Sequence, residues 1–359
     1  MRLIASLLVL SVIILFHEFG HFLFARLNGV AVLEFSLGFG PRLVSFVSKK
    51  SGTRYSVKCI PFGGSCAMKG EEAVDEEEEE RKPEEDSFFA KSPLARISII
   101  AAGPVFNFIL AFVFSLFIIA WAGYDPPKLL DVSEGYPAEA AGLMAGDVVT
   151  KIDGRSVAFA RDIQLAMMQN TGQPVRLTYK RLIEETKEWE EQSVLLKPKY
   201  SAEDKSYYIG IRWSSGRIGA ENAGRLLLYG VCEVRTQIRM VVDSLKLLVS
   251  GQVGTDEIAG PVRIVTIIDE TVEENKQYGF MTVFMNLLNL MVMFSANLGV
   301  LNLLPFPALD GGRLVFLFWE LLTRRPVNAR LENAVNLAGM ALLMTFMVFV
   351  VFNDLRYLF

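Results

Sequence analysis

His17-Glu18-Phe19-Gly20-His21 sets two imidazoles four residues apart, with a carboxylate directly after the first. On a helix that spacing puts both rings on one face, one turn apart. There they can bind zinc, with the glutamate beside the water the metal activates. These are the only two histidines in 359 residues. They lie inside an apolar run, Leu3 to Ala25, where ionisable groups are costly and signal function. A polar cluster that merely bridged helices would have no reason to gather every histidine of the chain around one glutamate.

A catalytic zinc takes three protein ligands and keeps a position open for water. No third histidine exists, and Cys59, Cys66 and Cys232 form no CxxC pair and lie outside the apolar runs. A carboxylate is therefore expected to complete the set. Asp310 stands out, within Asn302-Leu303-Leu304-Pro305-Phe306-Pro307-Ala308-Leu309-Asp310-Gly311-Gly312. The prolines and glycines break a helix at membrane depth, where irregular backbone survives only against protein or a water-filled cavity. The alternative for Asp310 is an exposed cap at the start of the next helix.

The elements that must hold these residues are membrane spans. The chain is 52% hydrophobic and 21% charged, with a mean hydropathy of +0.33, and its apolar residues come in blocks. That excludes a purely soluble enzyme, a disordered chain and a disulfide-stapled secreted one. A net charge of −4 leaves no footprint for nucleic acid. Leu3–Ala25, Ile97–Trp121, Phe284–Leu304 and Ala334–Phe352 are each about long enough to cross a bilayer. The first is no signal peptide, because it runs on through the histidine motif without a small-residue cleavage site.

Arg26, Arg42, Lys49, Lys50, Arg54, Lys58, Lys91 and Arg96 separate the first two spans. Arg313, Arg324, Arg325 and Arg330 separate the last two. Both connections are expected in the cytoplasm, which puts the stretch from Gly123 to Phe280 outside.

That outer stretch carries Pro137-Ala138-Glu139-Ala140-Ala141-Gly142-Leu143 and Gly146-Asp147-Val148-Val149-Thr150-Lys151-Ile152-Asp153-Gly154. A helix over Arg161–Gln169 and strands over Val175–Tyr179 and Val194–Lys197 follow from the periodicity. The block resembles a PDZ domain of the bacterial, protease-associated kind, which implies an extended peptide or substrate tail taken onto a sheet edge. A spacer without ligand is the other reading. Residues 71–86, an acidic low-complexity run, are expected to form a solvated loop. Leu226–Val249 reads as an amphipathic helix, on the membrane surface or against the outer domain.

HEFGH in the first span, Ala102-Gly103-Pro104-Val105-Phe106-Asn107 in the second, the PDZ insertion and NLLPFPALDGG together resemble the site-2 protease family. Within this family of intramembrane zinc metalloproteases, the chain is similar to the bacterial regulator-of-sigma-E branch in a single-PDZ form. The resemblance implies one Zn2+ per chain on His17, His21 and Asp310, with Glu18 as catalytic base. It implies that Asn302 positions substrate or steadies the oxyanion, and that Gly63, Gly64, Asn107, Pro305 and Pro307 bind substrate. Substrates would be single-span membrane proteins of anti-sigma-factor or signal-peptide type, cut after a first trimming. Beyond lipid and a peptide at the PDZ domain, no partner is implied. The stretch Ile60–Gly70 is similar to the family's membrane-associated β-hairpin, although Ser65-Cys66-Ala67 is unusual there.

The expected architecture is an α-helical polytopic membrane protein of a bacterial inner membrane, with the active site towards the cytoplasm. A first span (1–27) leads to the hairpin and acidic loop (28–95) and a second span (96–123). The extracytoplasmic PDZ domain (124–214), an amphipathic helix and connector (215–280), a third span with the LDG motif (281–314) and a fourth (315–359) complete it. A PDZ-bearing scaffold with a degenerate metal site is the alternative, as is a membrane metallohydrolase with another substrate.

Overall fold

The computed structural model describes residues 2–71, 84–202, 206–213, 216–251, 259–325, 327 and 329–358. Most of the acidic run at 71–86 falls outside these. The chain divides into two units, one of residues 1–115 and 237–359, the other of residues 116–236.

Ala5–Leu27, Phe280–Asn302 and Leu331–Arg356 of the first unit, and Pro93–Ala122, whose last turns fall in the second, are long and apolar enough to cross a membrane. They belong to helices α1 (Arg2–Leu27), α2 (Pro93–Ala122), α7 (Phe280–Asn302) and α9 (Ala329–Leu358). Runs of Leu, Ile and Phe favour helix here because a bilayer offers backbone groups no other partners. As its prolines demand, the chain leaves α7 at Asn302, and Asp310 opens a separate helix, α8 (Asp310–Thr323). A helix not anticipated in the connector, α6 (Pro261–Asn275), packs on α7. Its first amides are capped by a residue far along the chain. Asp354, 2% exposed, accepts from the Gly260, Val262 and Arg263 N–H groups at 3.0, 3.1 and 3.0 Å.

Strands β1 (Val32–Val47) and β2 (Arg54–Met68) pair antiparallel in the same unit. They fold over one another: residues 34–37 are flanked by 64–67 on one side and 54–57 on the other. The outermost segment, 64–68, thus pairs with β1 alone, and among the described residues no third strand joins it. Ala25, Val32, Met68, Phe88, Ile99 and Leu314 share one buried cluster, which binds α1, the hairpin, α2 and α8 together. Each such side chain contributes roughly 1.5–3 kcal/mol through burial.

The second unit holds β3 (Leu129–Val132), α3 (Pro137–Ala140), β4 (Val148–Ile152), β5 (Arg155–Ser156), α4 (Ala160–Met168), β6 (Val175–Leu182) and β7 (Trp189–Leu196). It continues with β8 (Lys199–Ser201), β9 (Ser206–Tyr208), β10 (Ile211–Trp213) and the start of α5 (Ala223–Val249). The main sheet runs β5-β4-β6-β7, and β10 pairs with β3. Leu177, Ile163 and Val149, each under 2% exposed, centre its core. The last strand starts at Trp189, earlier than its apolar end suggests, because it matches β6 residue for residue from Leu182 back to Val175. The early turns of α5 pack here: the Tyr229 ring stacks on Tyr124 at 3.8 Å, and Thr236 donates to Asp162 at 2.8 Å.

Candidate metal centre

The two histidines fall on one face of α1, as their spacing requires, and both are 7% exposed. Their Nε2 atoms lie 3.2 Å apart. Asp310, in the first turn of α8, brings Oδ2 to 3.2 Å from His17 Nε2 and 3.4 Å from His21 Nε2. Tetrahedral zinc with bonds of about 2.0–2.1 Å holds its ligand atoms about 3.3 Å apart. Three lone-pair atoms at that spacing fit the ion. Asp310 Oδ2 is also buried without a hydrogen-bond partner, which a cation would supply. No other group of three His, Cys, Asp or Glu among the described residues comes together this way.

Close backbone approach makes the arrangement possible. A Cβ at Gly103 would collide with the His21 and His17 rings, and one at Gly20 with the Ala102 carbonyl, so α1 and α2 meet through glycine on both sides. His21 Nδ1 lies 2.9 Å from the Ile99 carbonyl, an acceptor only, so Nδ1 carries the proton and Nε2 is free to ligate. The Asn107 carboxamide nitrogen lies 3.1 Å from His17 Nδ1. Asn302 Nδ2 is 3.5 Å from His17 Nε2.

The loop carrying Asp310 is braced by α9. Asn336 Oδ1 accepts from the Ala308 N–H at 3.3 Å, at a backbone φ of +72°. A Cβ at Gly339 would strike Pro307. Arg313, three residues beyond Asp310, pairs with Glu71 at the end of the hairpin, and Arg96 pairs with Glu320 at 2.5 Å. Spacing alone gives no signal for Gly103, Asn336, Gly339 or this pairing, since each meets a partner 28 or more residues away in the chain.

A cavity of about 420 Å³ opens on the centre, lined by His17, Glu18, His21, Asp310, Gly64, Cys66 and Arg313 among others. The 64–68 segment of β2 crosses it so closely that a Cβ at Gly64 would come within 3.0 Å of Glu18 Cγ. Glu18, Gly64 and the three expected ligands are thus brought together. Asn302, Gly63, Asn107, Pro305 and Pro307 lie outside the cavity lining: Asn107 is fully buried, Pro305 exposed, and Gly63 packs on the Phe39 ring. At the cavity rim the Arg42 guanidinium grips Glu34 at 2.7 and 2.8 Å and Ser56 donates at 2.6 Å. The Arg42 contact, above all, pulls the Glu34 carboxyl down to about 2.

A second cavity, about 580 Å³, lies in the other unit between α4 and the Ser206–Trp213 segment, with Tyr136, Ile163, Met167, Tyr207, Ile211 and Trp213 in its wall. Its lining is largely apolar.

Comparison with known proteins adds relatives of full length. The sequence pattern of Peptidase family M50 matches residues 5–346. A relative in Clostridium acetobutylicum is 34% identical over 356 residues, covering 99% of this chain and 98% of its own. Zinc metalloprotease RasP of Bacillus licheniformis is 29% identical over 438 residues, covering 99% of each chain. Regulator of sigma-W protease RasP of Bacillus subtilis is 28% identical over 432 residues, covering 99% of this chain and 98% of its own. Among solved structures, the PDZ domain of an SdrC-like protein from Listeria monocytogenes covers 25% of this chain and 88% of its own, at 25% identity and a TM-score of 0.21.

Proposed function

Because this chain belongs to peptidase family M50 and is a zinc metalloprotease of the membrane, we propose that it cleaves single-span membrane proteins within the bilayer, after another protease has trimmed them. One observation carries the reading: a zinc-shaped ligand triangle on α1 and α8 shares its cavity with an open strand edge.

His17, His21 and Asp310 would hold one zinc, which when bound supplies Lewis acidity toward the scissile carbonyl and toward a water. Glu18 takes the proton of that water as its oxygen attacks the carbonyl carbon, and passes it to the leaving amine as the C–N bond breaks. Asn302 Nδ2, near His17, donates to the carbonyl oxygen as negative charge builds there. A substrate helix must unwind before its carbonyl is reachable, and its freed backbone groups need partners in the membrane. The 64–68 edge supplies them by strand addition, holding the extended peptide across Glu18.

The basic connections support a hairpin and α8–α9 turn in the cytoplasm of a bacterial cell, with the inserted domain outside. The inserted domain acts as a PDZ-type gate, its 580 Å³ groove receiving a peptide tail. The name of the Bacillus subtilis relative supports a substrate that controls a sigma factor.

The test incubates purified protein in detergent with single-span candidates, with and without a zinc chelator, and maps each cut by mass spectrometry. A chelator-sensitive cut inside the span is expected; a zinc-loaded protein that cuts only soluble peptides would overturn the reading. Deleting residues 130–198 should keep cleavage of trimmed substrates and admit untrimmed ones. Loss of every cleavage in a folded, zinc-loaded deletion would make the domain a recruiter instead.

A further inference from the structure

His21 and His17 face the same problem and meet it with different partners. Each must keep its Nε2 lone pair for the metal, so each must carry its proton on Nδ1 and find an acceptor for it. For His21 that acceptor is the Ile99 carbonyl, at 2.9 Å. For His17 the group against Nδ1 is the Asn107 carboxamide at 3.1 Å, with its nitrogen turned toward the ring. In that orientation two donors would oppose each other once His17 ligates a metal. The same orientation leaves Asn107 Oδ1 buried with no hydrogen-bond partner. Oxygen and nitrogen of a carboxamide have nearly the same shape, and their placement follows from the protons around them. Half a turn about the terminal torsion carries Oδ1 to the proton that metal binding requires.

We infer that Asn107 is a positioning residue for the zinc ligand His17, accepting from its Nδ1–H through Oδ1. The inference rests on the reading of His17 as a ligand. Asn107 is fully buried, and its own carbonyl accepts from Ser295 Oγ on α7 at 2.7 Å. That bond fixes its backbone between two spans, so the carboxamide can turn but cannot leave. Its two orientations then match two states of the centre. With the metal absent, Nδ2 donates to His17 Nδ1, 3.1 Å away. With the metal bound, the tautomer reverses, and Oδ1 holds the ring in the plane that aims Nε2 at the ion. Asn107 thus serves the metal rather than touching substrate.

The test measures zinc affinity by chelator competition, together with the visible spectrum of the cobalt-substituted protein, so that turnover is not needed. Asn107→Leu, close in volume and without an acceptor, should bind zinc about 10–100-fold more weakly, the usual cost of removing such a partner. It should also alter the cobalt spectrum. Asn107→Asp keeps an acceptor at the same place and should hold zinc within about threefold of wild type. His17→Ala is the companion control. If it binds zinc like wild type, the ligand reading fails and this inference fails with it. If His17→Ala loses zinc while Asn107→Leu keeps wild-type affinity and shows only a raised KM, the ligand reading stands and Asn107 is a substrate contact. If Asn107→Leu and Asn107→Asp lose zinc equally, the acceptor role is overturned.

Discussion

Two buried carboxylates, one in each unit, are built to opposite ends. Asp147 of the inserted unit is 1% exposed, accepts from Arg181 at 2.7 and 2.6 Å, and accepts the Met144 N–H at 3.0 Å. Asp310 of the helical unit is also largely buried, yet its Oδ2 has no hydrogen-bond donor and looks at two imidazole nitrogens. Burying a charge costs several kcal/mol unless partners replace water. Asp147 meets that cost within the protein, and its pairing raises the Arg181 pKa further. Asp310 faces only two imidazoles, and a cation seated among the three groups would meet that cost. A satisfied buried charge serves the fold; an unsatisfied one is held ready for a ligand.

That contrast breaks first at Asp310. Asp310→Asn should abolish zinc binding and proteolysis while leaving the zinc-free protein as stable as wild type or more so, because it removes an uncompensated charge. Glu18→Gln should keep zinc and lower turnover by about 10²–10⁴-fold, as loss of a base and not of a ligand. Metal analysis of the purified variants, with thermal melts, checks both. The converse lies at Arg181. Arg181→Ala should cost the inserted unit about 2–3 kcal/mol, the low end for a broken buried pair because Arg181 is a quarter exposed, and should leave zinc content alone. A fall in zinc would show that the two units are not separable in this way.

Gly103→Ala sharpens the comparison within the helical unit. Overpacking at the ligand face costs about 1–3 kcal/mol, or roughly 5–150-fold in zinc affinity by chelator competition. Gly135→Ala, in the other unit, has open space around its position and should leave zinc unmoved, with only a small backbone cost at φ +74°. The smallest effect concerns Glu34. Its carboxyl is held at about 2 in the folded protein against an ordinary value of 4.5. Its stabilising contribution is therefore full above about 4.5 and fades as the pH falls toward 2. Arg42→Ala should flatten that part of the melting-temperature profile, by a shift of a degree or two at most.

The cluster of His17, His21 and Asp310 was legible because helical spacing and composition converge on it: two histidines in one span, then an acid at a Pro- and Gly-broken span end. The four spans were equally plain, since bilayer thickness dictates their length. The helix at Pro261–Asn275 was not, because its amphipathic, charged sequence reads as a connector until Asp354 is seen on its first amides. Gly103, Asn107 and Gly339 carry no periodic signal of their own. Their meaning lies in which helix passes opposite, and topology alone supplies that. The hairpin at Ile60–Gly70 was expected only from its family resemblance, and its crossing of Glu18 depends on the fold-over that lets residues 34–37 pair on both flanks.

The Asp354 cap has a temporal consequence. A ribosome delivers Pro261–Asn275 some ninety residues before the carboxylate that satisfies its N-terminal amides. Asn336 and Gly339, which settle the loop before Asp310, also arrive late. Until then Asp310 stands on an unbraced loop, and its meeting with His17 and His21 is not yet fixed. The order of synthesis thus puts completion of this corner of the fold after the helix Ala329–Leu358 has been made.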